Sequence, residues 1–254
     1  MHDAVIVSAV RTAAGKAPAG TLRGTRPDDL AAAVIAEALR RAPGIEASEV
    51  EDVILGCAMP EGEQGMNVAR IASLRAGVPV SASAVTVNRF CSSGLQAIAY
   101  AAERIMTGGS SVIVAGGTES MSMVPIGGNK YSPNPWLMEN YPEAYMIMGM
   151  TAEQVAQEYG VSREDQDAFA HRSQQKAGAA MENGRLAKEI TPVTIPQRKG
   201  DPIIVDCDEH PRPSTTLEQL GKLKAPFREG GSVTAGNASG VNDGAAGLII
   251  ASEA

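Results

Sequence analysis

Over its first 115 residues the chain alternates short apolar runs with amphipathic segments, and that alternation limits the folds open to it. The runs at 4–8 (AVIVS), 51–56 (EDVILG), 83–88 (SAVTVN) and 111–115 (SVIVA) have the length and β-branched content of buried strands. Between them, 27–41 opens on Pro27-Asp28 and repeats Leu30, Val34, Ala38 and Arg41 at helical spacing. Helical spacing also marks 67–75 and 92–107, the latter with Leu95, Ile98, Ala99, Ala102, Ile105 and Met106 on one expected apolar face and Gly108-Gly109 as its stop. Strand, helix, strand repeated in this way predicts an α/β fold whose sheet is mostly parallel, with helices on its faces. A fifth strand is expected at 245–251 (AAGLIIA), which makes the sheet five-stranded.

From Gly116 the pattern gives way to a Gly-, Pro-, Ser- and Asn-rich stretch that reads as a long loop. Two helices follow, opened by Thr151-x-x-Gln154 and Ser162-x-x-Asp165, which look like capping boxes, and stopped by Gly160 and near Gly184. Residues 190–230 return to irregular, Pro-rich sequence. The expected organisation is an α/β domain from 1–116 and 232–254, interrupted by an inserted helical and irregular loop domain at 117–231.

Composition narrows the function classes. With 44% hydrophobic but only 4% aromatic residues, the core must be built from Ala, Val, Ile, Leu and Met. A net charge of -7 argues against a nucleic-acid partner. No run is apolar enough to span a bilayer, and the N-terminus lacks the features of a signal peptide, so no membrane association is expected. The three cysteines, Cys57, Cys91 and Cys207, fit neither a disulfide framework nor a metal site, which points to a reducing, cytoplasmic compartment and no metal.

Of the three, Cys91 stands at the junction of the third strand and its helix, in VTVNRFCSSGLQA. In a parallel sheet that junction lies at the carboxyl edge, where ligands bind. A cysteine there faces free N–H groups and the positive end of the helix dipole, which favour the thiolate. The small Ser92, Ser93 and Gly94 leave room for a substrate carbonyl, and the Cys91 N–H is a candidate oxyanion donor. Packing is the ordinary role of a free cysteine, and Cys57 and Cys207 keep it: Cys57 leads into no clear helix, and Cys207 lies among Asp206, Asp208 and Glu209, which disfavour a thiolate.

NRFCSSGLQA followed by IMTGGSSVIVAGGTESMS resembles the thiolase signature around its acyl-accepting cysteine. The resemblance continues in VIVSAVRTAAGK, GMTAEQVA, SREDQDAFAHRSQQKA and GSVTAGNASGVNDGAA, in the family's order and across essentially the whole chain. It implies a thiolase-like N-terminal domain whose Cys91 carries the acyl group in thiolytic cleavage or Claisen condensation of a 3-ketoacyl-CoA. Acyl-CoA and CoA are then substrates, and no cofactor is held permanently. By the same resemblance Ser239 binds a pantetheine amide, Ala235 lines the channel, Phe227 and Met148 form apolar wall, and Arg212 sits near the adenine end. Turn stabilisation is the competing role for Ser239, and core packing for Phe227 and Met148. Ile147 and KLKAPF depart from some relatives and leave the acyl chain length open.

The family also needs a histidine in a GHPxGxxG-like segment and a cysteine in a CxGGG-like segment, both from a C-terminal domain. Neither segment occurs in these 254 residues. His2, His171 and His210 are each expected to be solvated rather than to serve as the base. The resemblance therefore implies a C-terminal thiolase half acting in cis or in trans, and a homodimer or homotetramer with the strand before Cys91 near the dimer interface. The competing readings are a CoA-binding or subunit-interaction module without turnover and, less well matched, a ketosynthase relative.

Overall fold

A computed structural model describes residues 2–253. Its strands are β1 (Ala4–Arg11), β2 (Gly15–Lys16), β3 (Asp52–Gly56), β4 (Ser83–Val87), β5 (Val112–Ser120), β6 (Val193–Ile195), β7 (Ile203–Val205) and β8 (Asn242–Ser252). Its α-helices are α1 (Pro27–Arg40), α2 (Val68–Arg75), α3 (Ser93–Met106), α4 (Pro135–Asn140), α5 (Met148–Tyr159), α6 (Arg163–Glu182) and α7 (Leu217–Gly221). The residues form two units. One comprises the chain up to Asn129, Ala187–Glu209 and the chain from Val241 on; the other comprises Lys130–Leu186 and His210–Gly240.

In the first unit the sheet runs β1-β8-β5-β3-β4, with β2 added on β8. β3 pairs in parallel with β4 and β5, whereas β8 is antiparallel to both β1 and β5. The five expected strands are all present, and four of them run the same way. β8 is the reversed strand between β1 and β5, and it makes the sheet mixed. All five residues of β3 are buried, as expected of a strand paired on both edges and covered on both faces.

Alternation along the strands fixes which helix covers which face. Ile54, Ile113, Ala115 and Ile250 point to one face, where they pack with Ala97, Ala101 and Ile105 of α3. On the opposite face Gly247 touches Val34 of α1. α1 starts with Pro27 and has Asp28 and Asp29 in its first turn, against the positive end of the helix dipole. It buries Leu30, Val34, Ile35 and Ala38; at roughly 1.5–3 kcal/mol for each large aliphatic side chain, this face anchors the helix.

Three expectations need correction. The buried side of α3 is Ser93, Ala97, Ala101 and Ile105, with Ile98 partly buried against the same core, while Leu95 is 72% exposed: the helix lies close to the sheet, so mostly small residues face it, and Leu95 and Met106 turn outward. The strand expected to end at Ala115 continues to Ser120, because pairing with β8 extends through Ser120↔Asp243. Gly116 is needed in that run, since a Cβ there would come within 2.1 Å of the Ala246 carbonyl oxygen. Finally, the helix expected to open at Thr151 opens at Met148, with Ile147 at its N-cap and Thr151 inside the first turn. The stretch 190–230 also contains the β6–β7 hairpin and the short α7.

In the second unit Ser162 caps α6, its side chain accepting the Asp165 N–H, and Gly160 ends α5 in the left-handed conformation. Glu153 of α5, 3% exposed, accepts hydrogen bonds from the Ser232 and Val233 N–H groups and from the Ser232 hydroxyl. Asn237 ties the following turn to α6: its Nδ2 donates to Asp167 Oδ1 at 2.9 Å, while its Oδ1 accepts the Thr234 N–H at 2.7 Å.

Candidate acyl-transfer site

Cys91 lies in the turn between β4 and α3, at the carboxyl ends of β3 and β4, and its thiol is free and exposed. The turn is tight. Phe90, immediately before it, has a φ of 48°, a left-handed conformation that a bulky residue adopts only when its surroundings impose it. The Ser92 N–H donates to the Arg89 carbonyl and the Ser93 N–H to the Phe90 carbonyl, so the backbone folds back before the helix begins. Ser92 stands at the N-cap without making a side-chain cap bond. Arg89 reaches along the first turn of the helix to Gln96.

Beneath the turn, the loop after β3 is organised by Glu119. Its carboxylate accepts the Ala58 N–H at 2.6 Å and the Met59 N–H at 3.2 Å, and a further hydrogen bond from Gln64. Gln64 is fully buried and uses both ends of its amide: Nε2 also donates to the Met59 carbonyl, and Oε1 accepts the Ser120 N–H. From there Ser120 and Ser122 hydrogen-bond to the buried Asp243 of β8. Cys57 borders this network, 1% exposed, with its thiol pushed up to about 12 by burial first and by the nearby Glu119 charge second. Cys57 is a packing residue, as its sequence position suggested. Cys207 is exposed.

His2 sits at the wrong end of α3 to serve Cys91. Its N–H donates to the Met106 carbonyl, whereas Cys91 precedes Ser93 at the other end, and a helix of 14 residues is about 20 Å long.

The other residues singled out from the sequence fall in the second unit. Met148 is the first residue of α5 and is 71% exposed, so core packing is not its role. Phe227 comes to the same helix end: its ring lies against Gly149, where a Cβ would meet it at 2.3 Å. Ser239 is exposed and donates to the Gly240 carbonyl at 3.2 Å, while Ala235 is exposed in the turn that Asn237 organises. Arg212 is exposed, and its N–H donates to Gln174 of α6. Two groupings result, Met148 with Phe227 and, along the chain, Ala235 with Ser239. His210 lies against Gly240, next to Ser239.

Asn88, Ser93, Glu119 and Glu153 lie inside the segments that carry the family resemblance, which assign them no hydrogen-bonding role, and Gln64 lies outside those segments. For Asn88 the available signal was local: an Asn two residues before a turn position often accepts that N–H. Ser93 also bonds locally, to Arg89 and Phe90, whereas the partners of Gln64, Glu119 and Glu153 are far apart in sequence. Among the described residues no group of three or more His, Cys, Asp and Glu side chains could hold a metal, and no helix is long and apolar enough to cross a membrane.

Comparison with known proteins bears on the whole chain. The family model described as thiolase, N-terminal domain, matches residues 4–254. The chain is 50% identical to the 3-ketoacyl-CoA thiolase of Bacillus subtilis, aligning over 98% of its own length and 66% of that protein's. It is 49% identical to a beta-ketoadipyl-CoA thiolase of Acinetobacter baylyi, over 100% of its length and 67% of the relative's. The crystal structure of the Bacillus anthracis acetyl-CoA acetyltransferase superposes with a TM-score of 0.87 at 41% identity, covering 100% of this chain and 66% of that one. The chain thus spans about two thirds of the length of the proteins it matches.

Proposed function

Because the chain belongs to the thiolase family, we propose that Cys91 is the acyl acceptor in a two-step exchange between a 3-ketoacyl-CoA and CoA. The observation that carries this reading is the exposed Cys91 thiol on a sharply folded strand-to-helix turn, at the edge of the sheet where α/β folds bind ligands. In the degradative direction the thiolate attacks the 3-keto carbon, the bond between C2 and C3 breaks, and acetyl-CoA leaves once C2 takes a proton. The thiolate of CoA then attacks the acyl-cysteine and releases Cys91. Condensation runs the same steps in reverse, with the enolate of acetyl-CoA attacking the acyl-cysteine.

Within this reading Ser239, Ala235, Phe227, Met148 and Arg212 bind the CoA portion, and CoA is a substrate rather than a resident cofactor. A C-terminal thiolase half, in the same chain or in another, supplies the histidine base and the second acid. The domain division follows the same logic: an α/β nucleophile domain and an inserted loop domain that holds CoA. The protein works as a homodimer or homotetramer in the cytoplasm.

Intact-mass and peptide mass spectrometry after incubation with acetyl-CoA tests the proposal. One acetyl group on Cys91, absent from Cys91→Ser, is expected. CoA bound without any acetyl transfer would instead favour a binding module without turnover. Thiolysis of acetoacetyl-CoA by the 254-residue chain alone, at a rate like that of whole thiolases, would overturn the requirement for a second half.

A further inference from the structure

We propose that Ser93 and Asn88 are positioning residues for Cys91, two side chains that clamp the turn from opposite sides; the proposal rests on Cys91 being the acyl acceptor. Ser93 is 3% exposed, and its hydroxyl works in both directions: it accepts the Arg89 N–H at 2.8 Å and donates to the Phe90 carbonyl at 2.6 Å. Those two bonds bracket the left-handed Phe90. Asn88 holds the other side, with Oδ1 accepting the Phe90 N–H at 2.9 Å and Nδ2 donating to the Ala58 carbonyl at 2.9 Å. The Ala58 N–H is in turn bound by Glu119, so the turn is tied through Asn88 to the loop after β3.

Both polar groups of the Phe90 peptide are therefore held by side chains. A residue in an unfavourable backbone region persists when its neighbours over-determine it, and this is the case here. The Cys91 side chain takes part in none of these bonds and stays exposed. A fixed backbone with a free thiol suits a covalent acceptor, because the attacking sulfur must meet the thioester carbonyl at a set distance and angle. Ser92, by contrast, makes no cap bond with its hydroxyl, although it occupies the position where a serine ordinarily makes one.

The test compares two reactions of Cys91 in the full chain: acetylation by acetyl-CoA, which needs the aligned turn, and alkylation by iodoacetamide, which needs only an accessible thiol. Ser93→Ala and Asn88→Ala are each expected to slow acetylation by about ten-fold or more while alkylation stays within about two-fold, as misplacement of a reacting group does. Acetylation within about two-fold of wild type in both variants would overturn the proposal. If the wild-type chain takes no acetyl group even with a C-terminal thiolase half added, the assignment of Cys91 as acyl acceptor fails, and the clamp is judged by amide hydrogen exchange instead. Exchange should accelerate at Arg89 in Ser93→Ala and at Phe90 in Asn88→Ala and remain unchanged in Ser92→Ala, with β3 and β4 still protected; unchanged exchange in the clamp variants overturns it. Should Ser93→Ala also lose protection in β3 and β4, that variant has unfolded. Asn88→Ala, whose side chain is exposed, then decides the question alone.

Discussion

Gly56, the last residue of β3, lies directly beneath Ser93: a Cβ added to Gly56 would come within 2.4 Å of the Ser93 carbonyl carbon and 2.5 Å of the Gly94 nitrogen. No side-chain rotation relieves that contact, because the atoms met are backbone. Gly56→Ala is therefore expected to push the first turn of α3 off the sheet, at about 1–3 kcal/mol of stability. Acetylation of Cys91 should slow by roughly ten- to a hundred-fold, since the displaced turn carries the nucleophile. Stopped-time mass spectrometry and urea unfolding measure the two effects; a variant matching wild type in both would show that the close approach has no role.

The thiols should separate by reactivity. Cys57 is buried, with its pKa pushed up to about 12 by burial and then by Glu119, whereas Cys91 and Cys207 are exposed. Iodoacetamide at pH 8 is expected to label two cysteines in the folded chain and all three in urea, because the thiolate is the species that reacts. Labelling of Cys57 at the pace of Cys207 in the folded protein would contradict its burial.

Glu153 holds the chain at 232–233 through two backbone N–H groups and one hydroxyl. Burial raises its pKa, but those hydrogen bonds outweigh it and leave the carboxyl below its ordinary value. Glu153→Leu strips the acceptors and leaves buried N–H groups without partners, which costs about 2–4 kcal/mol by the usual penalty for such groups. Faster proteolytic cleavage after Arg228 should accompany the loss of stability; protection equal to wild type would argue against the anchor.

Acid should destabilise the fold through specific carboxylates. Hydrogen bonding from Arg40 lowers Glu37 to about 2, against the opposing effect of burial and with further help from Arg41. In the unfolded chain the same group takes up its proton near pH 4.3. Between those values the unfolded state binds a proton that the folded state does not, so stability falls as the pH drops from about 4.5 towards 2. Asp208, lowered by Arg11 and the Ala14 N–H despite burial, acts in the same direction. Urea midpoints from pH 6 to pH 2.5 should decline less steeply in Glu37→Gln. An identical decline would show that Glu37 contributes nothing to it.

The elements around Cys91 were legible from the sequence because each carries a local signal. β3 and β4 are short apolar runs bounded by polar residues, Pro27 and the paired acids start α1, and Gly108-Gly109 ends α3. What escaped depends on partners distant in sequence. The segment 116–120 is too rich in Gly and polar residues to look like a strand, and it becomes one only because β8 lies beside it. On α3 the eye is drawn to Leu95 and Met106, yet the sheet takes the side of Ala97 and Ala101, where the helix can approach the floor set by Gly56. Likewise Gln64 shows no periodicity and fits no motif; its burial makes sense only once Glu119 and Ser120 stand beside it. The thiolase resemblance identified the family from short ordered segments; the local bonds of Asn88 and Ser93 leave a sequence signal only at Asn88, and the tie from Asn88 to Ala58 depends on a partner 30 residues away.

The placement of β8 between β1 and β5 sets an order of events for folding. Strands β1 and β5 emerge early in synthesis, yet neither is bonded to the other, and each must wait for a partner that follows some 120 residues after β5. Such distant pairing carries a large loop-closure cost and slows folding. In the interval the β1 edge and one edge of β5 are unpaired, the condition in which nascent chains associate wrongly. The residues that intervene between β5 and β8 include the second unit, whose helices rest on local contacts and form faster. Expression of this chain should accordingly respond to chaperone supply more than its final stability would suggest.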